Sequence, residues 1–327
     1  MHVLGAVLAV LSAATFALTN ALGRRGVITG TPVQGIVVSI PVGLFCFLAI
    51  ALLTGAFESL NRVSATALAA ISAAGVLHFV IGRYCNFRAS QAAGVNLTAP
   101  VLQLSAVVTL VLAVVILREP CTMLQAAGGV LMVAGSLVTQ RASQPVDASK
   151  PSSLPTFVPR TAVGFFFASV AAFVYGTTPV IVRQALHDAG PLGGLAGGSI
   201  AYAAATLAVA LGLFVGSLRR NVRQVSSENV RWFIYSGIFV AAAQGFLYSA
   251  LAVAPIMLVA PLLQLSLVFR FFFAFLFNPH HELFGAMVII GSVVSIAGAC
   301  AVSIDTELIL DALPLSQPLA ALLRVRL

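Results

Sequence analysis

No aspartate or glutamate falls well inside any of the long apolar runs of this 327-residue chain. Glu58, Glu119, Asp188, Glu228, Glu282 and Asp305 all sit at run ends or between runs. That absence excludes the simplest device for binding a lipophilic cation and exchanging it for protons, a carboxylate buried among apolar helices. Charge of either sign is scarce, at 8% of residues, against roughly a quarter in soluble domains. With 60% hydrophobic residues and a mean hydropathy of +1.06, this is not a soluble protein. The four cysteines, Cys46, Cys85, Cys121 and Cys300, show no CxxC spacing and so indicate neither a disulfide framework nor a metal knuckle. His280, His281 and Glu282 are adjacent on a short loop and lack the spacing of a defined metal site. The Gly-rich PLGGLAGG at 191–198 lacks the Lys-Ser/Thr that completes a phosphate loop. The sequence therefore calls for no cofactor and no metal. The net charge of +8 comes from basic residues that mostly punctuate helix ends, which suits membrane orientation rather than nucleic-acid binding.

What is present is a succession of apolar runs, each long enough for the about 20 helical residues that cross a ~30 Å bilayer core. They lie near 3–22, 33–54, 66–88, 93–117, 121–139, 161–182, 191–217, 231–253, 255–277 and 283–303. Stretches such as LSAVVTLVLAVVIL do not alternate as barrel strands do. The first run has no basic n-region and continues into Gly23-Arg24-Arg25-Gly26, so it reads as a retained helix rather than a signal peptide. The expected fold is an all-α integral membrane protein with ten transmembrane helices.

The chain is written twice. LTAPVLQLS at 97–105 returns as LVAPLLQLS at 258–266. Gly5, Phe16, Thr19 and Arg24 match Gly164, Tyr175, Thr178 and Arg183. Glu119, Gly128 and Gly135 match Glu282, Gly291 and Gly298. A Pro/Ser-rich stretch at 141–160 separates a unit at 1–140 from a unit at 161–304, and a tail at 305–327 follows. Five spans per unit make each unit start on the opposite side of the membrane from the other, giving two inverted five-helix repeats.

This pattern of five spans plus five, with a proline early in the fourth helix, a glutamate before the fifth and glycines along it, resembles the drug/metabolite transporter superfamily with two EamA-type domains. The resemblance spans roughly residues 3–140 and 161–303. Two features depart from the family pattern: Tyr175-Gly176 appears in the first unit as Phe16-Ala17, and the second glutamate follows Pro279-His280-His281. The resemblance implies a multi-pass protein of the bacterial inner (cytoplasmic) membrane, whose partners are a small-molecule substrate, the lipid bilayer and a coupling ion of unknown identity.

Pro100 and Pro261 mark paired helix kinks, where freed backbone groups are tolerated only against protein or a water-filled cavity. Helical spacing places Asn96, Pro100 and Gln103 on one face and Ser105 nearly opposite. Gln103 and Gln264 thus either face a central cavity and bind solute or tie helices together. Arg83 with Phe87, and their equivalents Gln244 with Tyr248, offer a hydrogen-bonding head beside an aromatic ring, suited to a planar or anionic solute. The alternative for Arg83 is snorkelling to the interface. Tyr175, from the aromatic-glycine pair, joins these candidates. Arg270, inside LVFRFFFAFLF, follows the Ser266 face and meets either solute or a neighbouring helix. His78 reads as a packing residue. The glycines Gly128, Gly135, Gly291 and Gly298 permit close helix approach.

The expected function is a secondary transporter of a small neutral, zwitterionic or anionic metabolite, such as an amino acid, working by alternating access. The competing classes are a lipid-handling or scaffolding membrane protein and, lacking any in-span acid, an intramembrane enzyme. Ten basic residues against five place the linker in the cytoplasm by the positive-inside rule, whereas the resemblance implies cytoplasmic termini. Reporters fused at Leu327 and in the linker decide between them. The proline-broken tail is too short to span and is expected on the membrane surface.

Overall fold

In a computed structural model, the described residues are 2–117, 121–141, 158–185, 190–253, 262–263, 265–282, 285–303, 306–307, 310, 317–323 and 325. Among them every extended element is helical. Helix α1 covers His2–Thr29 and α2 covers Pro32–Leu53. The next span is built of α3 (Ala65–Gly75), a π-helical turn (Val76–Gly82) and α4 (Arg83–Ala93). Helices α5 (Val95–Gln103), α6 (Ser105–Leu117) and α7 (Met123–Arg141) complete the first unit. The second contains α8 (Thr161–Ala185), α9 (Gly190–Gly212), a short α10 (Gly216–Arg223), α11 (Ser227–Val253), α12 (Ser266–Phe277) and α13 (Ala286–Ser303). A last short helix, α14, covers Gln317–Leu323.

Seven helical segments are long and apolar enough to cross a membrane: Val3–Thr29, Pro32–Leu53, Ala65–Ala93, Val95–Ile116, Thr161–Val182, Leu192–Gly212 and Ser227–Leu247. Three shorter apolar helices, Met123–Thr139, Ser266–Phe277 and Ala286–Val302, accompany them. Large apolar side chains such as Phe45, Leu53, Val115, Phe166 and Phe275 point outward, as a lipid-facing belt requires. The chain is an integral multi-pass membrane protein. The linker expectation falls largely on residues outside the described ones. Helix α10 was not anticipated: Arg219, Arg220 and Arg223 interrupt the apolar pattern, and Asn221 anchors it to the start of α2 through Thr31 Oγ1 at 2.7 Å and Gln34 Nε2 at 2.8 Å. Helix α14 stays near the start of α7, where the Val325 carbonyl accepts from the Met123 N–H at 2.8 Å.

The two units interlock. Helix α1 of the first lies along α11 of the second, α8 of the second lies along α3 and α4 of the first, and α7 pairs with α13. Ser12 Oγ donates to the Ala243 carbonyl at 2.8 Å, fixing α1 against α11. Without water to drive association, helices in lipid depend on backbone approach through small residues. The α7–α13 seam is the clearest case. A Cβ on Gly128 would meet the Gly298 carbonyl at 2.7 Å, and one on Gly291 would meet the Gly135 carbonyl at 2.6 Å. The glycines repeated in the sequence thus face each other, one pair above the other.

The fourth span shows why the repeated nonapeptide matters. Pro100 lacks an N–H, and four residues later the Leu104 N–H turns back to the Val101 carbonyl at 3.1 Å, three residues away instead of four. In the second unit Leu265 does the same with Leu262 at 3.1 Å. The two leucines share nearly one backbone geometry, φ −59, ψ −12 and φ −60, ψ −15. Pro261 itself lies outside the described residues.

Replacing Gly298 by leucine is expected to wedge α7 from α13 and cost about 1–3 kcal/mol, the usual range for overpacking. Thermal unfolding in detergent checks this, with Gly216→Ala, whose added Cβ meets open space, as the control that leaves the midpoint unchanged.

Candidate functional site

A cavity of about 290 Å³ opens between the two units. Its walls come from the first, third and fourth helices of both: α1, the π-helical turn with α4, and the α5–α6 junction from one side; α8, α11 and α12 from the other. Phe16 and Tyr175 line it, as do Arg83 and Gln244, and Ser105 and Ser266. Each of these is a pair equivalent by the sequence repeat. Two larger crevices, about 620 Å³ between α6 and α7 and about 450 Å³ between α12 and α13, are almost wholly apolar and offer no hydrogen-bonding chemistry.

Of the sequence candidates, the structure brings Arg83, Gln103, Tyr175, Gln244 and Arg270 to this one cavity. Gln264 lies outside the described residues, as does the side chain of Tyr248. Asn96 sits elsewhere. It shares a helix face with Gln103, but seven residues at 1.5 Å each place it about 10 Å further along the axis, at the buried end of α5. Ser105 and Ser266 are also corrections, since helical phase put them opposite the glutamines. The tight turn at Leu104 resets that phase, so Gln103 and Ser105 line the same wall. His78 also lines the cavity: it lies within the π-helical turn, where its carbonyl accepts from the Arg83 N–H five residues on, so the two residues stand one above the other. Its ring lies 4.6 Å from that of Tyr175.

Arg83 does not snorkel. It is 6% exposed and held from both units, its Nε donating to Ser39 Oγ at 3.0 Å and its Nη2 to Ser236 Oγ at 3.0 Å. Phe87 lies beneath the guanidinium, 5.0 Å from ring centre to Cζ, and is buried against Phe233 rather than turned to the cavity. Arg270 differs. Its buried Nε has no hydrogen-bond partner, and the same holds for Gln103 Nε2 and His78 Nδ1.

Next to this cavity lies a feature that separate repeat matches at Arg24 and Glu282 did not reveal. Gly94 ends α4 at φ +84, a conformation that favours glycine, and the chain restarts as α5. The freed N–H groups of Val95 and Asn96 donate to the two carboxylate oxygens of Glu282, at 2.9 and 3.0 Å. A Cβ at position 94 would run into that carboxylate. Arg24 from α1 closes the arrangement: Nε is 3.2 Å from Glu282 Oε1, Nη1 donates to the Gln91 carbonyl at 3.1 Å, and Nη2 to the His281 carbonyl at 2.9 Å. Burial pushes the Glu282 carboxyl upward, opposed by Arg24 and the two backbone N–H groups. The glutamate that precedes the fifth helix of one unit thus caps the fourth helix of the other.

The EamA-like transporter family model matches residues 3–141 and again residues 162–304. The chain belongs to the EamA-like transporter family. Two copies of the family unit therefore account for nearly the whole chain. Among solved structures it is similar to a crystal structure with which it shares 15% identity at a TM-score of 0.58, over 90% of this chain and 95% of that one. At that identity the likeness concerns the fold alone. No curated protein matches the chain in sequence. EamA is a drug/metabolite transporter family, and its members are membrane proteins.

Glu282→Gln leaves Arg24 buried without its counter-charge and is expected to cost about 3–5 kcal/mol of stability. Combining it with Arg24→Gln is expected to recover part of that loss, a coupling of about 0.5–3 kcal/mol in a double-mutant cycle followed by thermal unfolding.

Proposed function

We propose that this EamA-family protein is a secondary transporter that moves a small neutral, zwitterionic or anionic metabolite through the central cavity by alternating access. The observation that carries the reading is the cavity itself, lined by repeat-equivalent residues from the first, third and fourth helices of both units. A site shared by two inverted five-helix units can be exposed to one side of the membrane and then the other as the units rock. In this reading the seven long helices and three shorter apolar ones make ten spans, with the linker at 141–160 between two inverted repeats in a bacterial cytoplasmic membrane. Gln103, Gln244, Arg83, Tyr175 and Arg270 contact the solute, joined by Gln264 and Tyr248 from the second unit. Pro100 and Pro261 supply the turns that aim the glutamines. Asn96 belongs to the Glu282 cap rather than to the solute. The lack of carboxylates among the described lining residues disfavours cations.

Saturable flux from a metabolite panel in proteoliposomes is the direct test. Gln103→Ala and Gln244→Ala are each expected to raise KM by roughly 3- to 10-fold, the worth of about one hydrogen bond. Absence of saturable flux across the panel sinks the reading. Ten spans place both termini on one side and the linker on the other, so membrane-impermeant labelling of single cysteines introduced at 150 and near 327 should differ in sidedness.

A further inference from the structure

The charge of the cavity narrows the solute further, on the reading that the cavity is the transport site. Two guanidiniums border it, and its described lining contains no carboxylate. Arg83 is already engaged by Ser39 and Ser236, so it acts mainly as a fixed positive charge. Arg270 has no such commitment. Its Nε is enclosed and without a partner, and it stands one turn after Ser266 on the cavity side of α12, within electrostatic reach of Tyr175. From the opposite unit, Gln103 presents a second enclosed donor, Nε2, also without an acceptor. A charged group at membrane depth is costly unless it is paired, and a buried donor left unmade is costly on its own account. Among the described residues no carboxylate lines the cavity, and no acceptor reaches Arg270 Nε or Gln103 Nε2. A bound anion supplies both.

We infer that Arg270 and Gln103 form the carboxylate-binding subsite for a small organic acid carrying net negative charge. A carboxylate offers the two oxygens that one guanidinium and one amide donor can share. A zwitterion fits poorly: the other unpartnered lining atoms, His78 Nδ1, Asn86 Oδ1 and Thr19 Oγ1, carry no negative charge, and the charge of Arg83 on the same wall repels an ammonium. The volume, about 290 Å³, lies at the small end of ligand sites. It suits an acid of a few carbons or one ring, with Phe16 and Tyr175 bordering its apolar part.

Binding in detergent reads this assignment without any transport step. Purified protein is titrated at constant ionic strength with pyruvate, succinate and benzoate, and in parallel with alanine, phosphate, chloride and tetraphenylphosphonium, following thermal unfolding. The expected result is saturable stabilisation by at least one carboxylate, an apparent Kd at least roughly 10-fold weaker in Arg270→Gln, as loss of a charge-assisted hydrogen bond implies, and partial recovery in Arg270→Lys. The lysine variant also covers the case in which the glutamine variant does not fold. Alanine or tetraphenylphosphonium matching the carboxylates would overturn the proposal. So would phosphate or chloride reproducing the full shift, an unchanged affinity in Arg270→Gln, or no shift from any carboxylate at tens of millimolar. A carboxylate that binds but shows no flux counts against the transport reading alone, whereas saturable flux of alanine with no carboxylate binding counts against the subsite alone.

Discussion

Everything around the cavity depends on one buried ion pair and the helix end it serves. Arg24 and Glu282 are 2% and 0% exposed at their side chains, and they pair at 3.2 Å. In water such a pair contributes little, because solvent screens it. Inside a membrane protein it has no such competitor, and its geometry is over-determined: both carboxylate oxygens accept backbone N–H groups, while the guanidinium holds two carbonyls as well. The helix dipole of α5 adds to the attraction, since its positive end faces the carboxylate. Arg24 sets the height of α1, which carries Phe16 and Thr19. Glu282 sets α5, which carries Gln103. One interaction thereby fixes two walls of the cavity relative to the loop of the opposite unit.

The remaining polarity is distributed unevenly. Where positive charge must be permanent, as at Arg83, hydroxyls from α2 and α11 hold it and an aromatic ring lies beneath it. Where the wall is to meet a guest, donors are left open, as at Arg270 and Gln103. Satisfied and unsatisfied groups of the same type thus stand within one enclosure. That contrast separates architecture from binding better than residue identity does, because both kinds of arginine look alike in a sequence.

Membrane character, the two-fold organisation and the glycine seam were readable in the sequence because each rests on spacing, and spacing survives folding. The turn after Pro100 was readable for the same reason. Phase was lost wherever the helix stopped being regular. Ser105 was assigned to the wrong face because a three-residue turn at Leu104 advances the chain past ideal helical rotation; His78, read as a packing residue, lies in a π-helical turn that sequence spacing does not announce and lines the cavity. Asn96 shows a different limit, since a helical wheel has no axial coordinate. The Arg24–Glu282 pair was invisible for a third reason: its partners lie in different units, and nothing local in either segment reports the meeting. Helix α10 was missed because its basic face breaks hydropathy without ending helicity.

The glycine seam between α7 and α13 has a mechanical side. Where Gly128 faces Gly298 and Gly135 faces Gly291, the two helix backbones touch directly, with Met132, Thr139 and Ser295 packed beside the glycines. Such a junction is stiff to separation yet smooth in outline. On the proposed alternating-access reading, the fifth helices of the two units serve as an axle that carries one unit on the other, and the change in cavity shape is borne by the first, third and fourth helices, where the chain is broken at Gly94, Leu104 and Leu265.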